Sequence, residues 1–156
     1  MQNDYTQLYN PVFSEEANPE IFFPGGRRED ICQSLILDIL AGKKLVKLVG
    51  REGSGKTMLC QMVADRLPSE YQVITPAHPL DSFDDLARAM CLELGMDPRG
   101  KHTVDHLDLL PQLLQRRAAE RIKILLMIDE AEKLYLATLE RLLLCISDSP
   151  EEVGWT

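Results

Sequence analysis

Apolar positions along this chain repeat with two different spacings, and the switches between them outline a fold. From Arg27 to Ala41, apolar residues at Ile31, Leu35, Leu37, Ile39 and Leu40 predict a helix closed by Gly42. Leu45 to Val49 is apolar and β-prone and reads as a first strand, and Lys56 to Leu67 reads as a helix stopped by Pro68. Tyr71 to Thr75 predicts a second strand, broken by Pro76 to Pro79. Ser82 stands as N-cap of a helix through Leu94, with Asp84 and Asp85 in its first turn and Gly95 behind it. After a loop from Asp97 to Lys101, Thr103 caps a helix towards Glu120 that Pro111 should kink or divide. Ile122 to Ile128 is a nearly continuous apolar run, the pattern of a strand buried on both faces. Ala131 to Ser147 then predicts a helix with a strongly apolar face. Strands alternating with helices indicate an α/β fold with a parallel sheet.

At 156 residues the chain is one domain by length. Residues 1–26, with scattered Pro, Gly and aromatic positions, read as an extended arm whose aromatics pack on the body or on a partner. The net charge of −8 argues against a wide grip on a phosphate backbone, so nucleic acid is not the default partner. Arg116, Arg117 and Arg121 form the best local basic cluster, and they read as the end of a solvated helix complementing its dipole. His102 and His106 share a helical face but have no third ligand nearby and read as solvent-facing. Cys32, Cys60, Cys91 and Cys145 show no metal-like clustering and read as buried thiols of a reducing compartment. No run reaches a bilayer span and no signal peptide opens the chain, which points to a cytoplasmic location.

Chemistry enters with the stretch between the first strand and its helix. LVKLVGREGSGKTML satisfies G-x-x-x-x-G-K-[ST] through Gly50, Gly55, Lys56 and Thr57. Gly50, Gly53 and Gly55 let the backbone turn so that successive N–H groups face inward as an anion nest. The helix that follows presents its own unpaired N–H groups and positive dipole end to the same anion. Lys56 can reach the β- and γ-phosphates and Thr57 can hold Mg²⁺, making Gly50, Gly53, Ser54, Gly55, Lys56, Thr57 and Met58 the expected nucleotide-binding set.

Asp129 and Glu130 directly follow the second buried run. In a parallel α/β sheet the strands' carboxyl ends share one edge, outside which ligands bind, so Asp129 should emerge beside the phosphate loop. There it can hold Mg²⁺, while Glu130 is suited to polarise the water that attacks the γ-phosphorus.

With these motifs in place, GREGSGKTMLCQMVADRLP and ILLMIDEAEKL together resemble the AAA+ ATPases of the general secretion pathway A (ExeA-like) group, and more distantly the transposition-associated ATPases. The family's Walker A residues fall on Gly50, Gly53, Gly55, Lys56 and Thr57, and its Walker B pair on Asp129 and Glu130. The family usually has glutamine and asparagine after DEA, where this chain has Glu132 and Lys133. The resemblance implies a P-loop NTPase three-layer α/β/α sandwich, with residues 27–156 a partial AAA+ domain truncated after the helix that follows Walker B. In that family a sensor strand, an arginine that completes a neighbour's site and a helical lid come next. The sensor strand lies between the Walker A and Walker B strands. Here those two strands should either flank an open slot or pair directly in a rearranged sheet, and a strand supplied by a homo-oligomer is a further reading.

The expected function is ATP hydrolysis with Mg²⁺ to remodel or assemble a protein partner, which the resemblance suggests is secretion apparatus. The alternatives are a nucleotide-dependent interaction module with little turnover and an ATPase linked to DNA transposition. A small-molecule kinase fits less well, because adjacent Asp129 and Glu130 suit activation of water over a substrate hydroxyl. Adenine is favoured by the resemblance and by the lack of an N-K-x-D motif, with the base expected near residues 22–28.

Overall fold

The computed structural model describes residues 27–77, 80–96 and 105–148. The expected arm at residues 1–26, Thr103, His102, most of the expected base-binding stretch and the last residues lie outside them. In chain order the described elements are α1 (Arg28–Leu40), α2 (Lys56–Arg66), β1 (Tyr71–Ile74), α3 (Phe83–Glu93), α4 (His106–Ala119), β2 (Lys123–Leu126), a 3-10 turn (Ala131–Lys133) and α5 (Leu136–Asp148).

β1 and β2 pair in parallel with Tyr71 opposite Lys123 and Ile74 opposite Leu126, and α3 and α4 form the crossover between them. The period of two along the strands divides the core into two layers. On one face Tyr71, Val73, Leu125 and Met127 pack with Cys32 and Ile39 of α1 and Leu59, Met62 and Val63 of α2. On the other, Ile74, Ile124, Leu126 and Ile128 meet Leu86, Met90 and Cys91 of α3, Leu110 and Leu114 of α4, and Leu142 of α5. The result is the expected α/β/α sandwich, with helices covering both faces of a parallel pair.

The helix ends explain why the elements stop where they do. Ser82 accepts from Asp85 N at 3.2 Å as the N-cap of α3. Arg117 Nη2 reaches the Leu94 carbonyl at 3.2 Å and Nη1 pairs with Glu120 at 2.9 Å, so this one arginine ties α4 to the end of α3. His106 sits 3.9 Å from the Asp84 carboxylate, and no cluster of three or more His, Cys, Asp or Glu side chains that could hold a metal occurs among the described residues.

Four expectations need correction. Residues 45–49 join no sheet: among the described residues the sheet has only β1 and β2, and no backbone hydrogen bond links 45–49 to β2. A strand is defined by its pairing, and β2 meets β1 along one edge without meeting this segment along the other. Val46 and Leu48 still pack into the α1/α2 layer, while Leu45 and Val49 on the alternate side are 64% and 75% exposed. The segment therefore keeps a strand's alternation without a strand's ladder. Secondly, Pro111 does not divide α4, which runs unbroken from an Asp105 cap with Leu110 and Leu114 buried. The missing N–H costs one helical bond near the N-terminus, and packing of those leucines holds the helix through it. Thirdly, α5 begins at Leu136, not at Ala131, because Glu130 takes a left-handed conformation (φ 51°, ψ 41°) and is followed by a 3-10 turn. Finally, only Cys32 and Cys91 are fully buried; Cys60 and Cys145 are half-buried.

Candidate functional site

The loop before α2 is built from glycines in conformations other residues avoid. Gly53 has φ 70° and Gly55, the N-cap of α2, φ 89°. Gly50 has no positive φ, and its requirement is space: a Cβ there would lie 2.7 Å from Ser54 Oγ. Together these turns expose the first-turn N–H groups of α2, whose first helical bond runs from Leu59 N to Gly55 O at 3.0 Å. Lys56, Thr57 and Met58 thus begin a helix with donors directed out of its N-terminus, an arrangement that favours an anion.

Lys56 Nζ donates to the carbonyls of Gly50 and Arg51, both at 3.1 Å, so the ammonium lies across the loop's entry. Met58 turns its side chain into the α1/α2 layer, which leaves only its backbone for a ligand. Ser54 lies half-buried beneath Gly50.

From the far side of the chain, the turn after β2 delivers Asp129 to the same place. Thr57 Oγ1 donates to Asp129 Oδ2 at 2.5 Å, and Glu130 N donates to Asp129 Oδ1 at 2.9 Å. The structure therefore brings Thr57 and Asp129 together as expected. Cys60, one helical turn along α2, feels the same carboxylate: burial pushes its thiol up, and the negative charge of Asp129 adds to the shift. A hydroxyl that donates to a carboxylate makes with it a hard oxygen pair suited to Mg²⁺, which takes few protein ligands and keeps several waters.

Glu130 is held differently. Lys133 Nζ donates to Glu130 Oε2 at 2.6 Å, and that bond holds the lysine's affinity for its proton above the usual range, with Glu132 and Glu52 adding to the effect. The expectations from sequence omitted Lys133. Glu130 and Lys133, an acid and a base at i, i+3, carried the signal.

Residues 39–154 match a family described as "AAA domain". General secretion pathway protein A of Aeromonas hydrophila is 28% identical over 153 residues, which is 95% of this chain and 28% of that protein. The chain thus spans little more than a quarter of that relative's length. No solved structure gives a significant match.

Proposed function

Because the chain belongs to the AAA domain family, we propose that it binds ATP with Mg²⁺ at the loop from Gly50 to Met58 and hydrolyses it to remodel or assemble a protein partner. The observation that carries this reading is the 2.5 Å contact of Thr57 with Asp129, which joins the phosphate loop to the end of β2. The backbone N–H groups of Gly53, Ser54, Gly55, Lys56 and Thr57 would enclose the β- and γ-phosphates, with Lys56 moving from the loop carbonyls onto them. Mg²⁺, held by Thr57 and Asp129, would supply charge neutralisation at the phosphate oxygens. Glu130 accepts a proton from water as the water oxygen bonds to the γ-phosphorus. The bond from that phosphorus to the bridging oxygen breaks, and ADP departs with the electron pair.

The name of the Aeromonas relative supports secretion apparatus as the partner. Among the described residues no helix is long and apolar enough to cross a membrane. A nucleotide-dependent interaction module is the second reading, favoured by the hold of Lys133 on Glu130, since an engaged base turns over slowly.

Calorimetry of Mg-ATP on the wild-type chain and on Lys56→Ala tests the site. Saturable binding lost in the variant is expected; a folded wild-type chain that ignores ATP would sink the proposal. Glu130→Gln separates the two readings. Partner capture that persists with ATP while turnover vanishes would mean that the interaction does not need hydrolysis, as the module reading requires.

A further inference from the structure

Asp129 and Glu130 are neighbours in sequence, yet their oxygens have different partners. Asp129 receives the Thr57 hydroxyl from the phosphate loop, whereas Glu130 is gripped by a cation from its own turn. That turn is specified twice. Glu130 occupies the left-handed region at φ 51°, a costly choice for a residue with a Cβ, and its carbonyl accepts Lys133 N at 2.8 Å. The same turn brings Lys133 Nζ to Glu130 Oε2 at 2.6 Å. Backbone and ion pair thus fix one arrangement, and the loop lies close enough that Glu52 also acts on the Lys133 charge.

We propose that Lys133 is a positioning residue that restrains Glu130, occupying one carboxylate oxygen for part of the time in the nucleotide-bound chain as well as in the free one. This inference rests on the ATPase reading given above. A carboxylate oxygen engaged by an ammonium is a weaker acceptor for a water proton. The restraint is reversible because both side chains face solvent, Lys133 at 57% exposure and Glu130 at 47%. Exposed pairs of this kind are weak and yield to competing anions. A triphosphate brings several negative charges to the loop from Gly50 to Met58, beside which Lys133 already stands among Glu52, Glu130 and Glu132. The triphosphate therefore competes for the ammonium without removing it, and the pairing that remains slows turnover in the nucleotide-bound chain.

The test measures ATP affinity and kcat at saturating Mg-ATP for the wild-type chain, Lys133→Ala and Lys133→Arg, at low and high salt. Lys133→Ala is expected to raise kcat by about two- to fivefold, the scale set by a weak surface pair, with ATP affinity unchanged. Lys133→Arg keeps the wild-type rate, and high salt accelerates the wild type but not Lys133→Ala. Lys133→Gln repeats the measurement if the alanine variant loses its fold. A kcat that is equal or lower in Lys133→Ala with binding intact overturns the restraint, as does absent turnover in both chains. Failure of the wild-type chain to bind ATP overturns the ATPase reading itself, and the affinity measurement distinguishes that outcome.

Discussion

Thr57 Oγ1 lies 2.5 Å from Asp129 Oδ2, linking the first turn of α2 to the turn after β2 across 72 positions of chain. A hydrogen bond to a charged acceptor is among the stronger kinds. Removing the hydroxyl in Thr57→Ala should weaken Mg-ATP binding by about ten- to a hundredfold, the span expected for loss of such a bond. Binding measured in EDTA should change far less. Equal losses with and without the metal would mean that Thr57 only shapes the loop.

Gly55 is the position where the loop tolerates a side chain least for conformational reasons. Its φ of 89° leaves open space around a Cβ, so the penalty of Gly55→Ala is backbone strain and not collision. A loss of about 1–2 kcal/mol in urea unfolding is expected, together with weakened nucleotide binding. A variant as stable as the wild type would show that the turn relaxes freely.

Glu29 of α1 and Arg66 of α2 meet at 2.6 Å and bind two helices of one layer. The Arg66 hydrogen bond holds the Glu29 carboxyl below its usual value despite an opposing effect of burial. A depressed carboxyl pKa contributes stability that is present above the unfolded-state value and fades as pH falls through the folded one. Thermal unfolding between neutral and acid pH should therefore lose part of its slope in Glu29→Gln. An unchanged slope would assign the acid sensitivity elsewhere.

Cys91 is fully buried between α3 and the sheet, and burial, with some help from Asp84, pushes its thiol up to about 11. Thiolate is the reactive form, so Cys91 should resist Ellman's reagent at pH 8 in the folded chain while half-buried Cys145 and Cys60 label first. Single-cysteine variants make the comparison direct. Rapid labelling of Cys91 would indicate that the α3 layer opens locally.

Residues 45–49 should betray their lack of a ladder in hydrogen exchange. Their amides are expected to exchange about two orders of magnitude faster than those of β1, which are paired with β2. Comparable protection in both would require a partner strand for the segment.

Much of this architecture was legible because it depends on local chemistry. The glycine spacing at Gly50, Gly53 and Gly55, the Ser82 cap and the apolar run before Asp129 each act through near neighbours, and each occupies its expected place. Residues 45–49 carried the composition of a strand, but pairing is a property of two segments and no single one encodes it. The start of α5 was missed because the left-handed backbone at Glu130 belongs to a residue type that rarely adopts it. Pro111 was overestimated for a related reason: a penalty at one position was set against packing by Leu110 and Leu114 that comes from other elements. Lys133 could have been found from its charge and spacing, since i, i+3 pairs are a short-range rule.

The parallel pairing of Tyr71 with Lys123 also orders events in time. Such pairing must wait for the intervening crossover to condense, because closing so long a loop loses chain entropy before any contact compensates. Contact between Thr57 and Asp129 spans a still longer stretch and needs β2 already in place. The candidate site is thus among the last parts of the chain to assemble, and a ligand that bridges its two halves would bind only the completed chain. Such a ligand would act as a latch on folding, raising the midpoint of unfolding in proportion to the logarithm of its concentration once it is in excess.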